Sequence, residues 1–204
     1  MMLVQSLIDS IFQLFLFSFI PFIWWLIFWR KKEKFLSWIG IKRPIFQNKH
    51  FVFLFGCLFF VVSILSNVFL EVVEKSETAV GQFQGVNVVT LFSAFLFGMV
   101  RTGAAEEILF RGFLAKRFIQ YLGFAFGNIL QAIIFGIMHV VLFRIVTSLN
   151  IFQSLLIFSI PFLTSLFFGY INEKKSGGSI IPSWLMHGIG NVLASIIAIF
   201  NLNI

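Results

Sequence analysis

The sequence predicts an all-α, polytopic membrane protein, built as a helical bundle of about six transmembrane helices. Of its 204 residues, 59% are hydrophobic and only 11% are charged, whereas a soluble domain has about a quarter of its residues charged. Six apolar stretches reach the ~20 residues that an α-helix needs to cross a hydrocarbon core of ~30 Å. Most of the lysines and arginines lie between these stretches. We therefore expect the lipid bilayer to be the solvent of this chain.

The six apolar stretches are expected to form a single membrane domain over residues 1–204. No internal repeat is visible, and the connections are too short for a separate soluble domain. The third stretch is too long for one straight crossing and contains Gly103, so we expect a tilted helix or a break near that residue. The predicted spans run from about Leu7 to Trp29, Phe51 to Leu70, Val86 to Leu114, Phe124 to Phe143, Ile151 to Ile171 and Ser179 to Leu202.

The positive charges predict an orientation. Eleven lysines and arginines lie in three connections that share one side of a six-helix bundle, and two, Lys75 and Arg144, lie on the other. Positively charged loops are typically cytoplasmic, which places both termini outside in a multi-pass protein of the cell membrane. The net charge of +7 reflects this pattern and does not indicate nucleic acid binding. The eleven residues are Arg30, Lys31, Lys32, Lys34, Lys42, Arg43, Lys49, Lys116, Arg117, Lys174 and Lys175.

Two adjacent carboxylates, Glu106 and Glu107, lie well inside an apolar stretch. Each costs about 2.5 kcal/mol or more in the bilayer, so their presence needs a reason. Arg111 follows Glu107 by four residues and can pair with one of the two on the same helical flank. A purely structural salt bridge would explain Glu107 and Arg111 but leaves the second carboxylate unexplained.

Two histidines, His139 and His187, also fall within predicted spans. Asn191 follows His187 by four residues and shares its helical face. A carboxylate and an imidazole can together hold a water molecule and remove its proton. A second histidine and an asparagine amide can donate hydrogen bonds to a developing oxyanion. The set therefore suits hydrolysis of an acyl centre such as a peptide bond.

A metal site is the rival chemistry for the same residues. Two histidines and one glutamate are the minimum for catalytic zinc, so Glu106, His139 and His187 are alternative zinc ligands. The His-Glu-x-x-His pattern of zinc proteases is absent, and no cofactor is favoured. A serine nucleophile is not indicated either, because Ser183 lacks the elbow motif. The single cysteine, Cys57, excludes an intrachain disulfide.

Three motifs together resemble those of the CPBP intramembrane proteases: Glu-Glu-x-x-x-Arg from Glu106, Phe-x-x-x-His ending at His139, and His-x-x-x-Asn from His187. This family includes the type 2 CAAX prenyl endopeptidases and bacterial Abi proteins, some linked to bacteriocin immunity. The resemblance implies an intramembrane endopeptidase with its core at about residues 86–202. It also implies that Glu106 and His139 activate water and that His187 and Asn191 form the oxyanion site. The supporting residues that it implies are Glu107, Arg111 and Phe135.

Other functions remain compatible with buried polar residues. One is a non-enzymatic membrane protein, either an immunity factor of the bacteriocin type or a scaffold. Another is a transporter that uses the carboxylates and histidines as a proton relay, although such transporters typically contain inverted repeats. For the protease, the expected partners are the bilayer and a membrane-embedded or membrane-associated peptide or protein substrate.

The depth of the site residues gives a geometric test of the catalytic hypothesis. At the rise of an α-helix, Glu106 and His187 should both lie roughly 15 Å from the inner face, and His139 roughly 22 Å. A tilt, a later helix start or a wide cavity must therefore bring His139 to the others. Separations of more than about 10 Å would contradict shared catalysis, because proton transfer needs hydrogen-bond reach.

Overall fold

The computed structural model describes residues 2–46, 50, 54, 56–57, 82–83 and 85–200. Every regular element in that part of the chain is a helix, so the all-α prediction is confirmed. The elements are α1 (Met2–Phe28), α2 (Phe35–Trp38), α3 (Val88–Leu96), π1 (Phe97–Ala104), α4 (Ala105–Glu107), π2 (Ile108–Ala115), α5 (Lys116–Val146), α6 (Ile151–Tyr170), π3 (Ile171–Lys175) and α7 (Ile181–Phe200).

Several of these helices can cross a membrane, and the protein is a multi-pass helical bundle. Most of the predicted second span, about Phe51 to Leu70, lies outside the described residues, so the count of six stays a prediction. The described part contains four helices that are long and apolar enough to cross: Met2–Phe28, Val88–Val146, Ile151–Lys175 and Ile181–Phe200.

The helix does not break at Gly103. Backbone angles stay right-handed helical on both sides of the junction, at Ala104 (φ −65°, ψ −48°) and Ala105 (φ −61°, ψ −49°). The chain instead widens into π1 and π2 on either side of the short α4. Gly103 serves packing, because a Cβ there would lie 3.0 Å from the Cα of Gly188 in α7. Of the two expected alternatives, a tilted helix or a break near Gly103, the break is therefore not found.

The real interruption lies at Gly123 in α5, where φ is 76° and ψ is 167°. Few residues other than glycine adopt this backbone conformation. Beyond it the chain folds back, so that a methyl on Gly127 would overlap the backbone of Phe118 and Ile119. The predicted third and fourth spans are consequently separate helical arms joined at Gly123.

Helix α1 lies along the outside of the bundle and exposes most of its apolar side chains. One ion pair ties it to π1, with Asp9 Oδ2 3.2 Å from Arg101 Nη1. After α1, Trp38 and Ile39 at the end of α2 are buried in a cluster that includes Phe113 of π2. This cluster packs α2 against the segment that carries the site.

A polar contact joins α5 to α6 away from the ends of both helices. The Gln131 side chain donates to Asn128 Oδ1 at 2.9 Å, and Ser165 Oγ donates to Gln131 Oε1 at 2.9 Å. All three side chains are buried. Buried polar groups are tolerated when they are hydrogen-bonded in this way, so the contact sets how α6 packs on α5.

Small residues bring α7 against π1. A Cβ on Gly98 would lie 2.8 Å from the Gly188 carbonyl oxygen, and one on Gly188 would lie 2.6 Å from Met99 Sδ. Small residues at a helix interface let two backbones approach closely in a membrane. This contact carries the C-terminal histidine of the sequence motifs to the paired glutamates.

Candidate active site

The centre of the site is an ion pair buried inside the bundle. Glu107 Oε1 lies 2.8 Å from Arg111 Nη1, and the side chains are only 0% and 1% exposed. The guanidinium carbon of Arg111 also lies 4.2 Å from the ring centre of Phe135 and 5.2 Å from that of Phe168. Such cation–π contacts stabilise a desolvated cation. Arg111 thus lies beside an opposite charge and two ring faces, while its guanidinium nitrogens make no hydrogen bond to the described residues.

Glu107 has two further partners, both on α7. His187 Nδ1 lies 3.1 Å from Oε1, and Ser183 Oγ donates to Oε2 at 2.6 Å. Since a carboxylate can only accept, the hydrogen on Nδ1 of His187 points to Glu107. The Glu107 carboxylate thus orients the imidazole, as carboxylates do beside histidines in many hydrolases.

Glu106 differs from its neighbour because it is not held in the same way. Its Oε2 atom is buried and accepts no hydrogen bond from the described residues. His187 Nε2 lies 3.8 Å away, beyond hydrogen-bond distance. The Glu106 side chain is 13% exposed. It is therefore the carboxylate of the pair with an oxygen left for another molecule.

His139 reaches this group through the ring of Phe135. Its Nδ1 lies 2.8 Å from the Phe135 carbonyl oxygen, which places the hydrogen on Nδ1 and leaves Nε2 as a base. The Phe135 ring centre is 4.5 Å from that of His139 and 6.2 Å from that of His187. The fold-back at Gly123 brings the arm that carries His139 against the arm that carries the glutamates, where Phe135 meets Phe110 at 4.8 Å between ring centres. The separation of His139 from Glu106 and His187 stays a prediction.

Asn191 faces π1 from one turn beyond His187. Its Nδ2 donates to Thr102 Oγ1 at 2.8 Å, and that hydroxyl lies 3.0 Å from the Phe97 carbonyl oxygen. Because a primary amide has two hydrogens, one hydrogen of Asn191 remains for a ligand. π-Helical turns are frequent at functional sites, and here π1 provides the residue that holds this amide.

Two side chains of the site were missed by the sequence reasoning. Thr102, which accepts the hydrogen bond from Asn191, was not predicted to have a role. Asn172 lies just past the predicted fifth span. Asn172 donates to Ser183 Oγ at 2.7 Å and is 1% exposed. Its signal in the sequence is weak, because an asparagine at a helix end is ordinarily a cap or a loop residue.

The alternative zinc ligands do not form a three-ligand group. Within the described part of the chain, no three His, Cys, Asp or Glu side chains are close enough to hold a metal ion. Glu106 and His187 approach to 3.8 Å, whereas His139 contacts the ring of Phe135. Zinc, which the sequence leaves as an alternative, would be tested by metal analysis of the purified protein.

One comparison with known proteins gives a match. The family model for type II CAAX prenyl endopeptidase Rce1-like proteins matches residues 85–193. That range contains the candidate site residues Glu106, Glu107, His139, His187 and Asn191. No curated protein and no solved structure matches the chain.

Proposed function

Because the chain belongs to the type II CAAX prenyl endopeptidase Rce1-like family, we propose that it hydrolyses peptide bonds within the membrane with water that Glu106 activates. The observation that carries this proposal is the difference between the two glutamates. Glu107 is saturated by its partners, while Glu106 has a buried oxygen without one among the described residues. A general base must have an oxygen within reach of the water.

In the proposed reaction, water lies between Glu106 and the Nε2 atom of His139. Glu106 removes a proton as the water oxygen attacks the carbonyl carbon, which gives a tetrahedral oxyanion. The carbon–nitrogen bond then breaks, and protonated Glu106 returns its proton to the leaving amine. The net change consumes one water and yields a carboxyl and an amine product.

The oxyanion would be stabilised by His187 and Asn191. His187 donates to Glu107 through Nδ1, so its Nε2 can donate only as an imidazolium. Such an imidazolium would present its Nε2–H to the oxygen of the tetrahedral intermediate. Asn191 would donate its remaining amide hydrogen. Donors aimed at the developing charge are worth about 10²–10³ in kcat.

The supporting residues would act on the orientation of this machinery. Glu107 holds the His187 ring, and Arg111 neutralises Glu107. Phe135 contacts both imidazoles and the Arg111 guanidinium. In this proposal they are positioning residues, because their contacts are with protein groups rather than with the peptide.

The direct test is the Glu106→Ala variant. Membrane peptides from cells that express the wild-type protein or the variant are compared by mass spectrometry, and purified proteins are assayed with an internally quenched, farnesylated CAAX peptide in liposomes. We expect the wild-type cleavage products to disappear, with the rate reduced about 10²-fold or more.

The matched control is Glu173→Gln, which removes a carboxylate that pairs with Lys116 at 2.7 Å outside the site. It should retain the cleavage products. Full activity of Glu106→Ala would reject the proposed mechanism, and an unchanged membrane peptidome would favour a non-enzymatic immunity or scaffold role.

A further inference from the structure

A chain of buried side chains leads from π3 to the central carboxylate. Asn172 Nδ2 donates to Ser183 Oγ at 2.7 Å, and Ser183 Oγ donates to Glu107 Oε2 at 2.6 Å. The relative exposures are 1%, 0% and 0% for Asn172, Ser183 and Glu107. Water cannot replace any of these partners without entering the bundle, so each bond has to be made within the protein.

The order of donors gives this chain a direction. The Ser183 hydroxyl has one hydrogen and two acceptors within reach, Glu107 Oε2 at 2.6 Å and the Ile180 carbonyl oxygen at 3.0 Å. The Nδ2 atom of Asn172 can donate but not accept, so its hydrogen bond uses a lone pair of the Ser183 hydroxyl oxygen. The hydroxyl hydrogen is then directed to Glu107, where the acceptor is charged and the bond is stronger.

We propose that Asn172 and Ser183 are positioning residues that set the orientation of the Glu107 carboxylate. Through this carboxylate they also set the hydrogen bond at Nδ1 of His187, and so the orientation of its ring. This inference rests on the proposed function. With Oε2 held by Ser183, the other oxygen of Glu107 is directed to Arg111 and to His187 Nδ1. His187 Nε2 is consequently directed to the side of Glu106, where the substrate is proposed to bind.

The same segment is tied to the end of the bundle. Asn172 accepts a backbone hydrogen bond from Gly178 at 2.8 Å, and the next residue, Glu173, pairs with Lys116. Lys116 also donates to the Gly178 carbonyl oxygen at 2.7 Å. These contacts hold Asn172 in place independently of the site, as a positioning residue requires.

Histidine NMR tests the positioning without a substrate. The chain contains three histidines, so ¹⁵N-histidine labelling gives few signals, which His→Gln variants assign. We expect Ser183→Ala and Asn172→Ala to shift the His187 Nδ1 signal, because its hydrogen bond to Glu107 changes, with the His139 signals unchanged. The control is Ser165→Ala, which removes a buried hydroxyl bonded to Gln131 and should leave His187 unchanged.

Kinetics with the quenched farnesylated peptide give a second measurement. Loss of a hydrogen bond to a charged group should lower kcat about tenfold in Ser183→Ala, with KM within about twofold of wild type. The Asn172→Ala/Ser183→Ala double variant should be no slower than Ser183→Ala, because Asn172 acts through the hydroxyl.

The outcomes separate the two proposals. His187 signals identical to wild type in both Ser183→Ala and Asn172→Ala would overturn the positioning role, whatever Glu106→Ala does. Shifted His187 signals together with a fully active Glu106→Ala variant would instead reject the proposed mechanism and leave the positioning intact. If Ser183→Ala does not fold, the Asn172→Ala spectrum alone decides, since that variant keeps the hydroxyl.

Discussion

Glu106 and Glu107 are neighbours in the chain, yet their carboxylates have different hydrogen-bond partners. Glu107 is fully buried, lies 2.8 Å from Arg111 Nη1 and is contacted by His187 and Ser183. Glu106 has a buried oxygen with no hydrogen bond from the described residues. We therefore expect the loss of Glu107 to leave neighbouring charges unpaired, and we propose Glu106 as the carboxylate available for chemistry.

This difference predicts opposite effects of two isosteric substitutions. Glu107→Gln leaves the Arg111 guanidinium buried without its counter-ion, so the free energy of unfolding should fall by about 3–5 kcal/mol. Glu106→Gln removes no hydrogen bond to a described residue and should change stability by less than about 1 kcal/mol, while activity is lost. Unfolding in mixed detergent micelles and cleavage of the quenched peptide measure both quantities. Equal destabilisation by the two variants would contradict the assignment.

At the scale of the elements, the long helical stretch Val88–Val146 owes its shape to one glycine. The chain widens into π1 and π2 without breaking, and then folds back at Gly123. The arm that follows carries His139 and Phe135, and Phe135 packs on Phe110 of the arm that precedes it. The conformation of Gly123 therefore decides whether the first and second sequence motifs meet.

Substitution of this glycine should weaken the fold through backbone strain alone. In the described part of the chain, no heavy atom lies within 4 Å of a Cβ added to Gly123, so a clash is not expected in Gly123→Ala. Its backbone angles should nevertheless cost about 1–3 kcal/mol in the free energy of unfolding. Leu122→Ala, at an exposed neighbour, is the control. Wild-type stability of Gly123→Ala would show that the fold-back does not require this conformation.

For the whole molecule, the structure gives a multi-pass bundle, and the charge pattern predicts its orientation. Lys116, Lys174 and Lys175 lie at the end of the bundle that the positive-inside rule places in the cytoplasm. Arg144 lies near the opposite end, beside the connection between α5 and α6. The polar chain from Asn172 to Glu107 then links the proposed site to the end that is predicted to be cytoplasmic.

Cysteine labelling in intact cells checks this orientation. In a Cys57→Ser background, which removes the only cysteine, Ser148→Cys should react with a membrane-impermeant maleimide from outside. Lys175→Cys should react only after the cells are permeabilised. Both native positions are exposed. The reverse labelling pattern would place both termini in the cytoplasm and contradict the predicted orientation.

The amino-acid sequence was enough to predict the helical membrane class and to propose the polar residues of the candidate site. Both depend on local quantities: the length of an apolar run against the thickness of the bilayer, and the cost of a charge inside such a run. The third span shows the limit of this reasoning, because the glycine expected to break it, Gly103, serves packing. The glycine that does interrupt the helix, Gly123, lies between two runs that already read as separate spans.

Which residues meet, and how each is held, depends on the packing of segments that are distant in the chain. The hydrogen bond from Asn191 to Thr102 joins residues 89 apart in the chain, and that from Ser183 to Glu107 joins residues 76 apart. The spacing in the sequence allowed Arg111 to pair with either glutamate. It could not reveal that the hydrogen-bond partners gather on Glu107, because α7 contributes two of them. Asn172 acquires its place for the same reason, since its hydrogen bond exists only after α7 packs against π3. Long-range packing, which no local pattern encodes, thus gives Glu107 hydrogen-bond partners that Glu106 does not have among the described residues.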